Sequence, residues 1–259
     1  MELEVSVRDG VGVIEIARPA QLNALTVEIA ERIGPAAEAA VADGARALVI
    51  TGRGAAFCAG ADLSLVNRAL DGEPHAALTP LVAGLHRSLL ALRALPVPTV
   101  AAVEGAAVGA GLGLALCADV RIVADSARLM PGYLAIGSSP DGGVSYLLAR
   151  MIGSARAMSF LLHNRPIGAQ EAVELGLAES SVADGTALDR AREVASRLAG
   201  TAPLALVRVR ELLDRATTHD FAAHLQLEQQ RVTELWDTAD FVEGIGAFVQ
   251  RRQPIFRGN

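Results

Sequence analysis

Two short stretches hold residues that could do chemistry. Phe57-Cys58-Ala59-Gly60-Ala61-Asp62 follows a strand-like run, Ala45 to Thr51, and Gly105 to Asp119 follows another, Thr99 to Val103. Each reads as a buried strand, a turn of small residues and a helix start. Small residues let a ligand come close to the main chain, and free N–H groups at a helix N-terminus attract negative charge. Two such turns face to face supply a pair of N–H donors, which is an oxyanion hole. Other chemistries find little support. His75, His86, His163, His219 and His224 show no metal-ligand spacing, so no metal is expected. His86 lies in a helical stretch and reads as a surface or packing histidine. Gly109 to Gly113 lacks the third glycine and the acidic partner of a dinucleotide fingerprint. No G-x-S-x-G is present.

Composition narrows the field further. At 259 residues, 51% hydrophobic and 20% charged, the chain can bury a sizeable core as one domain with a smaller appended element. A formal charge of −6 gives no general attraction to nucleic acid or anionic membrane. All 23 basic residues are arginine, which excludes a Schiff-base or P-loop lysine. Any phosphate must be held by arginine or by backbone N–H groups. Cys58 and Cys117 read as buried, reduced thiols, which suits a cytoplasmic protein. Glu2 and Glu4 stand where a signal peptide would be basic, so no leader is expected. The longest apolar run, Gly105 to Ala118, is shorter than the ~20 residues of a membrane span.

The elements that must position the two turns follow from pattern. Alternating residues around Asp9-Gly10 predict a hairpin of Leu3 to Val7 with Val11 to Ile16. Helical spacing from Thr26 to Val41 predicts a helix capped by Thr26. Leu63 to Leu95 reads as two helices broken at Asp71-Gly72-Glu73-Pro74, with Asp62 as an N-cap. Val120 to Ala124 is a strand. Helices are predicted over 141–151, 154–162 and 168–175, then over 187–198, 202–217, 221–235 and 240–249. Strands and helices alternate first and helices alone follow, so the expected fold is an α/β core with a helical C-terminal extension.

The chain resembles the crotonase family, the enoyl-CoA hydratases and isomerases. The resemblance rests on Ile16-Ala17-Arg18-Pro19 with Leu22-Asn23-Ala24-Leu25, Thr51-Gly52, the Phe57–Asp62 and Gly105–Asp119 turns, Pro140-Asp141-Gly142-Gly143, and Ala247 to Arg252 with Pro254-Ile255-Phe256. It implies a spiral of ββα repeats over residues 1–200 and a helical region, 201–259, that packs copies into trimers or dimers of trimers. It also implies an acyl-CoA thioester as ligand, coenzyme A being part of the substrate, and no separate cofactor. By position, the backbone N–H groups of Ala61 and Ala110 would be the oxyanion donors. CoA contacts would come from Arg18 to Asn23, from Ala56, Ala59 and Gly60, and from Gly109, with Gly113 in the acyl site. Phe248 and Arg251 would reach in from a neighbouring copy.

The chain departs from the hydratases at two positions. The two water-holding glutamates of that family would fall at Gly113 and Tyr133. One carboxylate is left, Asp141, where several relatives carry a catalytic acidic residue. A plain N-cap for the following helix is the bland alternative for Asp141, and Tyr133 reads first as a pocket-lining residue. Three functions stay open on these residues. One is an isomerase with Asp141 as the single acid/base group. Another is a hydratase using Asp141 with Tyr133. The third is an acyl-CoA-binding protein without catalysis.

Overall fold

The computed structural model describes residues 2–259. Strand β1 (Leu3–Arg8) turns back on β2 (Val11–Ile16) through Asp9 and Gly10, both at positive φ. The strand that follows, β3 (Ala47–Gly52), is buried throughout, as its unbroken apolar run requires. It begins a repeat that places one strand in each of two sheets. β3 is followed by β4 (Ala56–Cys58) and helices α2 (Leu63–Leu70) and α3 (Pro74–Ala94). Next come β5 (Thr99–Val103), β6 (Ala106–Val108) and α4 (Ala110–Cys117), then β7 (Val120–Ala124) and β8 (Arg128–Met130) before α5 (Val144–Ile152). The larger sheet has the order β1-β2-β3-β5-β7 and the smaller one aligns β4-β6-β8 in parallel. This is the ββα spiral that the resemblance implies.

Stacking these repeats brings the same point of each turn to one line. The β4–α2 and β6–α4 junctions therefore become neighbours. A long helix, α1 (Val27–Ala42), with Thr26 capping it through Ile29 N–H, packs against α3 and closes the core behind them. The helical end of the core comprises α6 (Ser154–His163), α7 (Ala169–Glu174) and α8 (Ala187–Leu198), with the short strands β9 (Ile167–Gly168) and β10 (Ser180–Val182) at the sheet edges.

Two differences from the sequence expectation have simple causes. The strands of the smaller sheet, β4, β6 and β8, are three residues each, too short to show a period. The helix expected from Asp141 starts at Val144, because Gly142 and Gly143 both take left-handed backbone.

The last segment is wholly helical, in α9 (Pro203–Arg215), α10 (Phe221–Trp236) and α11 (Ala239–Gln250). One tie to the core is Arg210, whose Nε donates to Asp119 Oδ1 at 2.9 Å and whose Nη2 donates to Val97 O at 2.9 Å. Asp119 in turn accepts from Thr99 N at 2.8 Å, at the head of β5. Asp119→Ala would leave a buried guanidinium unpaired and should cost about 3 kcal/mol of unfolding free energy in urea titration. A loss below about 0.5 kcal/mol would mean that this tie is dispensable.

Candidate active site

The two small-residue turns meet at a cleft of about 450 Å³, a normal size for a small-molecule site. Ala59, Gly60 and Ala61 line it from the first turn, and Gly109 and Ala110 from the second. Gly60 and Gly109 have φ of +92° and +54°, which side-chain-bearing residues rarely adopt, and this backbone turns the next N–H out of the chain path. A methyl built on Gly60 would lie 4.0 Å from Ala110 N, so the turns are in near contact. Neither Ala61 N–H nor Ala110 N–H donates to another group among the described residues. Ala110 is the first residue of α4, where a helix N-terminus adds partial positive charge. At the other end of α4, buried Arg121 donates to the carbonyls of Leu116 and Ala118.

Asp141, Tyr133 and Ser138 complete the polar part of the cleft. Asp141 Oδ1 is buried with no hydrogen-bond partner. Asp141 does not cap α5; Gly143 holds that position. The Tyr133 hydroxyl donates to the main-chain oxygen of Asp141 at 3.3 Å. Burial, and then the negative charge of Asp141, push the phenol well above its ordinary value, so it stays protonated and serves as a donor, not a base. His86 on α3 accepts the Gly142 N–H at Nε2, 3.2 Å away. His86 is exposed, as a surface histidine was expected to be; its contact with the Asp141 loop is additional, and no spacing in the sequence could have paired residues this far apart. The rest of the wall is aliphatic, from Val66 and Leu70 on α2, Leu78, Leu81, Val82 and Leu85 on α3, and Ile136.

Several expected site residues lie elsewhere. Arg18 spends its guanidinium on Asp62 Oδ2 at 2.8 Å, Ala24 O at 2.6 Å and Glu2 Oε1 at 2.9 Å, so it braces the first turn and is not free to clamp a phosphate. Asn23 is fully buried and pins the same region, donating to Arg53 O and to Ala56 O and accepting from Arg18 N–H. Ala56 is thereby a buried strand residue. Asp62 caps α2 through Ser64 N–H, as expected. Glu104 caps α8 by accepting from Gly185 and Ala187 N–H. Cys58 lies next to the first turn, but burial pushes its thiol up to about 12, and Cys117 likewise up to about 11, so neither is a nucleophile at neutral pH.

Gly113 does not line the cleft; it sits under it. A Cβ at Gly113 would lie 2.4 Å from Gly142 O, so the Asp141 loop occupies the space a side chain would need. Phe248 and Arg251 lie far from the cleft within one chain. Phe248 is 86% exposed on α11 and Arg251 is the exposed residue that ends that helix.

The profile described as "Enoyl-CoA hydratase/isomerase" matches residues 6–259. The chain belongs to the enoyl-CoA hydratase/isomerase family. It is an acyl-CoA enzyme of the crotonase type. A Rhodobacter capsulatus protein described as "Probable enoyl-CoA hydratase" is 37% identical over 99% of this chain and 98% of its own. The 1,2-epoxyphenylacetyl-CoA isomerase of Escherichia coli is 34% identical over 97% of each chain. The crystal structure of an enoyl-CoA hydratase from Polaromonas sp. JS666 superposes with a TM-score of 0.92 at 34% identity, covering 98% of this chain and 99% of that one. The names of these relatives divide between hydratase and isomerase.

The fit between Gly113 and the Asp141 loop makes a direct forecast. Gly113→Ala should lose about 1–3 kcal/mol by overpacking, and Gly113→Glu should fail to install hydration of an enoyl-CoA because the loop must move to admit it. A Gly113→Glu protein of unchanged stability that hydrates crotonyl-CoA would contradict this packing.

Proposed function

We propose that this enzyme isomerises aliphatic enoyl-CoA thioesters, with Asp141 as the single acid/base group. The observation that carries the reading is the unpartnered, buried Oδ1 of Asp141 in the same cleft as two unspent N–H groups, those of Ala61 and Ala110. Removing a proton from an acyl carbon sends negative charge to the thioester oxygen. The two N–H groups receive that charge, each worth roughly 3–4 kcal/mol in other enzymes. Asp141 takes the proton, and the protonated carboxyl returns it to another carbon of the same dienolate. The double bond moves, no water is consumed and the carboxylate is regenerated. The wall formed by Val66, Leu70, Leu78, Leu81, Val82 and Leu85 suits an aliphatic chain.

Hydration with Asp141 and Tyr133 as a pair is less well supported, because the Tyr133 hydroxyl is spent on the Asp141 main chain. A purely binding role is disfavoured by the placement of Asp141 in the cleft. Such a role would suit a carboxylate turned outward to solvent.

Asp141→Asn should lower isomerisation by about 10²–10⁴-fold, the range of general acid–base catalysis, with acyl-CoA affinity nearly unchanged. Solvent-deuterium exchange into a saturated acyl-CoA gives a second readout. An Asn variant that exchanges and isomerises at the parent rate would exclude the single-aspartate mechanism. If the parent does neither on any acyl-CoA it binds, the binding role takes over.

The C-terminal helices are proposed to join copies of the chain. Leu204, Leu235, Phe241, Ile245, Phe248 and Phe256 line an apolar groove of about 340 Å³. Exposed aromatic and aliphatic surface of this kind marks an interface. The same contact would carry Phe248 and Arg251 toward a neighbour's cleft, where the Arg251 guanidinium could hold phosphate. Light scattering should give a trimer or hexamer mass. A mass near the 26.8 kDa of one chain would refute the assembly.

A further inference from the structure

One contact of the cleft has no part in the proton transfer itself. The Gly142 N–H donates to Nε2 of His86 at 3.2 Å, and the preceding carbonyl, that of Asp141, accepts from the Tyr133 hydroxyl at 3.3 Å. These are the two polar ends of a single peptide unit. The next carbonyl, Gly142 O, is wedged over Gly113. The plane of the Asp141–Gly142 peptide is therefore held from both sides, by α3 through His86 and by the 131–139 segment through Tyr133. Gly142 and Gly143, both at positive φ, offer little stiffness of their own. With that plane held, rotation about the Asp141 Cα–C bond is restricted, which narrows the directions open to its side chain.

A backbone N–H can donate only to a ring nitrogen that carries no proton. His86 must then be neutral, with its hydrogen on Nδ1. We propose that His86 is a positioning residue that aims Asp141 through the Gly142 amide, and that protonation of its imidazole releases this peptide and turns the enzyme down. The proposal rests on Asp141 being the base. His86 is an exposed residue, so solvent protons reach it.

The groups that could bias its charge are few. On α3 itself Arg87 is adjacent and is paired with Glu31 of α1 at 2.9 Å. Of the other elements packed on α3, α1 also carries Glu28, Arg32 and Glu38, α2 carries Arg68, and α4 carries no charged side chain. The loop brings Asp141 and Tyr133. Asp141 is the carboxylate next in sequence to the contact, so a protonated His86 would also be drawn toward the group it serves.

The test uses the full chain with two substitutions. In His86→Gln, the amide oxygen can accept the Gly142 N–H and does not titrate. In His86→Ala the acceptor is gone. The parent should lose rate on the acid side, as the imidazole gains its second proton. His86→Gln should keep kcat near the parent's plateau and lack that limb. His86→Ala should fall about five- to tenfold below the parent's plateau kcat, a gap that closes as the parent loses rate on the acid side, with acyl-CoA affinity unchanged. If His86→Gln is as slow as His86→Ala, the ring itself is needed and the positioning role is wrong. An unchanged His86→Ala profile overturns it too. A second measurement needs no turnover. In the ¹⁵N-histidine spectrum, the signal lost in His86→Gln should report the Nδ1–H tautomer at about pH 8. An Nε2–H ring would overturn the contact. If the parent turns over no acyl-CoA, the isomerase reading fails by itself, and the tautomer still decides whether His86 holds the Asp141 peptide.

Discussion

The cleft holds two N–H groups that no protein group accepts, at Ala61 and Ala110. Much of the structure around the cleft can be understood as the means of keeping them unspent. The first turn is fixed from behind by Asn23, which bonds both the Arg53 and Ala56 carbonyls, and by the Arg18–Asp62 pair at the start of α2. The second turn is the N-terminus of α4, every residue of which is buried. Its C-terminal carbonyls are met by Arg121, a buried cation placed where the helix is most negative. These contacts hold the two turns in place while the Ala61 and Ala110 donors face the cleft.

The acid/base group is built on the same economy of space. Gly113 has no room for a side chain because Gly142 O lies over it. The only carboxylate in the cleft thus comes from the 140–143 loop and not from α4. The loop and the glycine fit each other, so the absence of a glutamate at Gly113 and the presence of Asp141 are one structural choice. Tyr133 fills the second hydratase position with a donor that holds the loop. Burial and the nearby Asp141 charge keep that phenol protonated, which suits a clamp and not a base.

Much of this was legible in the sequence. Long periodic segments such as Thr26 to Val41 and the buried strand at Ala47 declared themselves by pattern. The two small-residue turns that line the cleft were legible as strand–turn–helix junctions. Three-residue strands were not, since β4, β6 and β8 are set by the spiral they complete and not by their own period. The family resemblance put Arg18 among the CoA contacts, and sequence does not show the partner its guanidinium takes. Asp62, 44 positions away, claims it. His86 was read as a surface or packing residue, and it is exposed; its contact with Gly142, 56 positions on, was not legible for the same reason.

The central claim is that Ala61 and Ala110 N–H groups polarise a thioester carbonyl. Infrared difference spectroscopy of a bound acyl-CoA, labelled with ¹³C at the thioester carbon, measures this directly. Two donors on one oxygen weaken the C=O bond, so the carbonyl band should move to lower frequency on binding, and should do so in Asp141→Asn as well. A saturated complex whose carbonyl band stays at its solution frequency would contradict the account.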